Sequence, residues 1–163
     1  MIEAPFILII AIIGIALIFD FTNGFHDSAN SISTVVSTKV LSPRNAVIFA
    51  AFFNFIAAFG FGVAVASTIA KIIQLEIVET ALVPYIILAA LTGAIVWNMI
   101  TWFFGLPTSS SHALIGGMAG AGISAAGLAA IKWSTVELVA AFMILSPLIG
   151  LACGFLFMAL VLN

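Results

Sequence analysis

Asp27 and Asn30 stand three residues apart in the stretch 19-FDFTNGFHDSANSIST-34. On a helix that spacing turns a carboxylate and an amide oxygen to the same side, where both can converge on one small cation. Placed at about 100° per residue, Asp27, Asn30, Ser31, Thr34 and Thr38 share an arc of about 100°, with Ala29, Ile32, Val35 and Val36 opposite. A wet face lying on a membrane surface normally carries Lys or Arg, but this one holds one carboxylate, one amide and hydroxyls, the oxygen set that hard cations and oxyanions require. It reads as the lining of a site, the plainer alternative being an interfacial helix. His26 can donate to an anion, titrate near neutral pH, or simply satisfy a backbone carbonyl, which is the role favoured here. Asp20 closes an apolar run, and a helix end meeting water explains it as well as a buried role does.

The second polar stretch, 105-GLPTSSSHALIGG-117, carries no formal charge. Gly105 and Pro107 stop one helix, and Pro followed by Thr and Ser is a helix-start signal. The free N–H groups and positive dipole end of the new helix, with the hydroxyls of Thr108, Ser109, Ser110 and Ser111, would form an anion cradle without an arginine. A Ser/Thr-capped surface loop is the plainer reading of the same residues, with His112 an interfacial polar side chain. The pairing of the two stretches favours the site: an oxygen-rich break and a donor-rich helix start are how transporters build a site for a cation and an anion together.

The elements that must position these residues follow from composition. The 163 residues are 64% hydrophobic and 6% charged, which points to an all-α integral membrane protein. A net charge of −2 from few ionised side chains excludes a nucleic-acid footprint and a polybasic lipid patch. The lone Cys153 lies in an apolar run, so no disulfide framework or thiolate metal site is expected. The N-terminus lacks a basic n-region and a cleavage site, so Met1 is read as the true start and the first hydrophobic run as a retained span.

About 20 apolar residues cross the hydrocarbon core. Ala46 to Ala70, Ala81 to Phe104 and Leu138 to Leu162 qualify, and Ala113 to Ile131, rich in Gly and Ala, suits close packing inside a bundle. Pro5 to Phe19 is short, at about 22 Å of helix. Asn23-Gly24 is a turn signal, so the first span is expected to break there and resume as a second helical piece. About five crossings result, with broken or re-entrant segments at both polar stretches, in a single membrane domain over residues 1–163. Lys39 and Arg44 place their loop on the cytoplasmic side, the N-terminus outside and the C-terminus of this segment inside. An odd number of crossings lets a second copy of the unit enter from the opposite side as an inverted repeat.

The stretch 23-NGFHDSANSISTVVSTKVLSPR-44 resembles the first signature of the inorganic phosphate transporter (Pit) family, and 107-PTSSSH-112 resembles its second. Their order and spacing, and the flanking spans, liken essentially the whole chain to the amino-terminal half of a bacterial or archaeal member. The resemblance implies a multi-pass transporter of the cell membrane that moves inorganic phosphate with a coupling cation between two inverted repeats. It further implies no organic cofactor and, as partners, phosphate, the lipid bilayer, a second homologous repeat and a homodimer of the complete transporter. By motif, Asp27 and Asn30 contribute to the cation and substrate site, with His26 and Thr34 beside them, and a sodium ion at Asp27 and Asn30 is the one metal considered. Thr108, Ser109, Ser110 and Ser111, with Asn30 and Ser31, fall to the phosphate, and His112 completes the second motif. His26 stands where many sodium-coupled members have Asn, as in bacterial members described as proton-linked, which leaves sodium and proton both open. Because only one half is present, the chain is expected to be part of a longer protein, a half-size subunit being the alternative.

Transport of another oxyanion such as sulfate competes with this reading. Phosphate is preferred because it carries a proton at neutral pH that it can donate to Asp27. A divalent-metal channel using His26, Asp27 and His112 would leave the hydroxyl row without a role. An enzyme is not expected, because Ser109 to Ser111 and His112 are neighbours on one helix and cannot face each other as nucleophile and base.

Overall fold

The computed structural model describes residues 6–60 and 64–162, which fold as six α-helices joined by short turns. The chain divides into two compact units, Met1–Ile131 and Lys132–Asn163. The first holds α1 (Phe6–Ser37), α2 (Pro43–Gly60), α3 (Ala64–Ala70), α4 (Val83–Phe103) and α5 (Ser110–Ala126). The second is α6 (Trp133–Leu162), a 30-residue apolar helix with Pro147 inside it, long enough to cross a bilayer. Among the described residues there is no strand, only an isolated bridge between Ile73 and Ile131. The expected first span opens at Pro5, which lies outside the described residues. So do residues 61–63, in the expected span Ala46 to Ala70, which is otherwise helical as α2 and α3.

The expected break at Asn23-Gly24 does not occur. α1 runs unbroken for 32 residues, about 48 Å, through the whole polar stretch. The reason is local hydrogen bonding. Thr22 Oγ1 donates to the Phe19 carbonyl at 2.9 Å, Ser28 Oγ to Phe25 at 2.9 Å, Ser31 Oγ to Ser28 at 3.1 Å and Ser33 Oγ to Asn30 at 3.1 Å. Each hydroxyl closes on its own helix, so the polar run needs neither water nor a turn to satisfy it. One internal glycine costs only about 1 kcal/mol, which the packing of Phe19, Thr22 and His26 offsets. The helix ends instead at Ser37, and Lys39 beyond it takes φ 60° while Val40 N–H donates to Val35 at 3.1 Å and Lys39 N–H to Val36 at 3.0 Å. Ser42 and Pro43 then start α2, Ser42 as the cap and Pro43 as first helical residue.

The second expected break is present. α4 stops at Phe103, and Gly105, at φ 65°, closes it: Leu106 N–H donates to Thr101 at 2.8 Å and Gly105 N–H to Trp102 at 3.1 Å. The expected span Ala113 to Ile131 is shorter at its end and longer at its start. It begins at Ser110 and stops at Ala126, because Gly127 turns the chain at φ 74°. Gln74 holds the following turn, its Nε2 donating to Ala129 at 3.1 Å and to Ile131 at 3.2 Å.

Two apolar clusters hold the unit together. Phe19 of α1 meets Leu91 and Ala94 of α4, with Ala113 and Leu114 of α5 against them. Ile73, Val78, Ile86 and Ala130 form the other, packed by Met118 and Ala121. The helices α4 and α5 run antiparallel in contact, as the Gly-rich composition suggests: a Cβ on Gly117 would lie 2.6 Å from the Ala90 carbonyl oxygen, whereas one on Gly116 would meet nothing within 4 Å. Gly117→Ala should therefore lower stability in detergent by roughly 1–3 kcal/mol while Gly116→Ala leaves it unchanged or raised, as measured by thermal unfolding of the two variants side by side.

Candidate functional site

The two polar stretches meet where the C-terminal half of α1 passes the α4–α5 connection. Asn30 Nδ2 lies 3.5 Å from the Thr108 carbonyl oxygen, a long contact across 78 residues of sequence. His26, Asn30, Thr101, Gly105 and Pro107 line a cleft of about 440 Å³ there, and the Phe25 and Trp102 rings, 5.6 Å apart, flank it. The helix α1 turns its His26 edge inward: the residue is 6% exposed, and its Nδ1 is buried with no hydrogen-bond partner. Nδ1 thus makes no bond to a backbone carbonyl, the role favoured for His26. Asp27, Ser31 and Thr34 lie on the neighbouring, exposed face of the same helix. The Ser31 hydroxyl is engaged with Ser28 as described, and Asp27 makes no ion pair or hydrogen bond among the described residues.

The hydroxyl row is divided among four environments. Thr108 presents its carbonyl to Asn30. Ser109 is the N-cap of α5, with extended backbone, and its Oγ accepts from His112 N–H at 3.4 Å. Ser110 begins the helix and is 1% exposed, its Oγ without a partner. Ser111 faces another cavity, of about 570 Å³, together with Asp20 and Asn23 of α1. His112 is exposed. The N–H groups of Ser110 and Ser111 belong to the first turn, where a helix has no internal acceptor. Among the described residues no three His, Cys, Asp or Glu side chains gather as a metal-binding group, so His26, Asp27 and His112 do not form one.

A buried polar residue without a hydrogen-bond partner escaped the sequence reading. Asn98, in the middle of α4, is 0% exposed, and both its Nδ2 and Oδ1 lack partners. It lies one turn beyond Ala94, as Ser110 lies one turn before Leu114 on the antiparallel α5 and Asn23 one turn beyond Phe19 on α1. By helix count the three stand at one level, a turn beyond the Phe19–Leu91–Ala94 cluster. The signal was a single amide in the otherwise apolar run AIVWNMITWF.

Residues 23–163 match the family model described as phosphate transporter family. The chain belongs to the phosphate transporter family. It is 51% identical over 162 residues to a probable low-affinity inorganic phosphate transporter of Bacillus subtilis, covering 95% of this chain and 46% of that protein. The corresponding protein of Rhizobium meliloti is 49% identical over 157 residues, covering 96% of this chain and 46% of its own. This family member thus spans about half the length of these relatives. A solved structure, the sodium-dependent phosphate transporter, superposes with a TM-score of 0.79 at 37% identity, covering 86% of this chain and 35% of that one. The relatives are transporters, and this member is a membrane protein and not an enzyme.

The capping geometry gives Ser109 a structural role at the start of α5 in this family member. Ser109→Ala should cost about 1 kcal/mol of stability, and Ser109→Asp, which also caps, should restore it, both read by thermal unfolding in detergent.

Proposed function

We propose that this chain is one repeat, over residues 1–163, of a transporter that carries inorganic phosphate with a coupling cation by alternating access. The observation that carries the reading is the Asn30–Thr108 contact, because it joins the carboxylate-bearing face of α1 to the start of α5. Asp27 and Asn30 would hold the cation, with Thr34 and His26 beside them. The α5 N-terminus, with Thr108, Ser110, Asn30 and Ser31, would hold the phosphate, while Ser109 shapes that terminus as its cap and Ser111 stands at its edge.

Electrostatics orders the steps. At about 4 Å and an effective dielectric near 20, two unit charges interact by about 4 kcal/mol. Phosphate approaching a bare Asp27 would be opposed by that amount, and a cation on Asp27 reverses the sign. The cation therefore binds first and phosphate second. Sodium is supported as that cation by the similar solved structure, a sodium-dependent phosphate transporter. A second homologous repeat, in inverted orientation, completes the site opposite the exposed Asp27 face. The Lys39–Arg44 loop lies on the cytoplasmic side of the cell membrane, and the complete transporter forms a homodimer.

Uptake of labelled phosphate into proteoliposomes of the full-length protein tests this. Asp27→Asn should abolish uptake while the protein still inserts, and Ser110→Ala should raise the KM for phosphate roughly tenfold with little loss of stability. Excess sulfate should compete weakly. Wild-type kinetics in Asp27→Asn, or strong sulfate competition, would remove the assignment.

A further inference from the structure

The buried residues Ile86, Ala90, Ala94 and Asn98 follow one another by a turn of helix along α4, forming one stripe. The facing stripe of α5 is anchored to it twice. A Cβ on Gly117 would stand 2.6 Å from the Ala90 carbonyl oxygen, and Ala94 packs in the cluster that Ala113 and Leu114 join. From Ala90 to Asn98 the helix rises about 12 Å, and from Gly117 back to Ser110 about 10.5 Å. The antiparallel count therefore brings Asn98 and Ser110 level to within about one residue's rise, about 1.5 Å.

Both residues are shut in and both are unpaired. Asn98 is 0% exposed and Ser110 1%, and Asn98 Nδ2, Asn98 Oδ1 and Ser110 Oγ have no hydrogen-bond partner. The next buried hydroxyl along α4 is already committed: Thr101 Oγ1 donates to the carbonyls of Trp97 at 3.0 Å and Asn98 at 3.1 Å. A whole amide buried without a partner is costly, and an apolar side chain of the same shape would pack there without that cost. Packing does not account for an amide at this position, whereas a role in the site does. Ser110 is its chemical complement. The amide supplies a donor, and a hydroxyl offers two acceptor lone pairs and one proton. Accepting from Asn98 leaves that proton free for an anion's oxygen.

We infer that Asn98 is a positioning residue of the phosphate site and acts through Ser110. With phosphate at the start of α5, Asn98 Nδ2 donates to Ser110 Oγ and turns the Ser110 hydroxyl proton toward the anion. The inference rests on the reading of this chain as a phosphate carrier, and adds to the site a side chain from α4.

Phosphate uptake kinetics and thermal unfolding of the full-length protein test it together. Asn98→Leu keeps the branching of the side chain and removes its polarity. It should raise the KM for phosphate roughly tenfold, leave the maximal rate within about twofold, and leave the unfolding temperature unchanged or raised. Combined with Ser110→Ala it should raise the KM no further than either change alone, because both remove one interaction. A wild-type KM in Asn98→Leu, or a double variant whose KM rises by the product of the two single effects, overturns the inference. So does a lowered unfolding temperature with an unchanged KM, the mark of a purely structural amide. If wild type itself moves no phosphate, the transport reading fails and the inference falls with it; a working wild type beside an unaffected Asn98→Leu overturns the inference alone. Should Asn98→Leu fail to insert, Asn98→Ala is read for the same rise in KM, and a wild-type KM in it overturns the inference.

Discussion

Gly117 lets the backbone of α5 lie against that of α4 at Ala90, and the levels of the polar side chains in this unit depend on that contact. Any side chain there would push the helices apart, and the antiparallel register would lose its anchor. With it, the levels follow by turns of helix: Ala90 lies beside Gly117, Ala94 packs in the cluster that Ala113 and Leu114 join, and by the same count Asn98 falls level with Ser110. The apolar cluster on Phe19 brings α1 to the same count, so Asn23 joins the layer of Asn98 and Ser110 and His26 lies a turn further on. A close backbone contact between two helices thus sets which polar groups on a third can meet them.

The second constraint is that the polar residues must not unravel the helix carrying them. In α1 the hydroxyls of Thr22, Ser28, Ser31 and Ser33 are returned to carbonyls of their own helix. Each of these hydroxyls keeps its acceptor lone pairs for a ligand, beside the oxygens of Asp27, Asn30, Asn23 and Asp20. The connection between α4 and α5 works the other way. There the helix is stopped, by Gly105 and then Pro107, so that α5 starts near α1 with first-turn N–H groups that have no acceptor within the helix. One polar stretch stays helical and supplies acceptors, and the other breaks and supplies donors.

Family membership and the site geometry bear on different questions. Similarity to phosphate transporters over 80–96% of this chain accounts for the spans and motifs. It does not by itself distinguish the members of the hydroxyl row, which local geometry separates into a cap, a buried hydroxyl and a cavity-lining one. Among the described residues, the buried polar atoms of Asn23, His26, Asn98 and Ser110 are left without a hydrogen-bond partner.

The sequence by itself determined the helical class, the membrane setting and the identity of the two polar stretches. These follow from composition, from the length of apolar runs and from Gly-Pro punctuation, all of which act locally. It also indicated the close α4–α5 packing, since a run such as ALIGGMAGAGISAAG has few side chains to keep a neighbour away. Tertiary structure decided the rest. Whether Asn23-Gly24 turns or continues depended also on burying Phe19, Thr22 and His26 in the bundle, an energy no turn propensity contains. Which serine caps, which is buried and which faces Asp20 depended on the rotation of α5 about its axis, and that is set at Gly117, where the chain touches a residue 27 positions away.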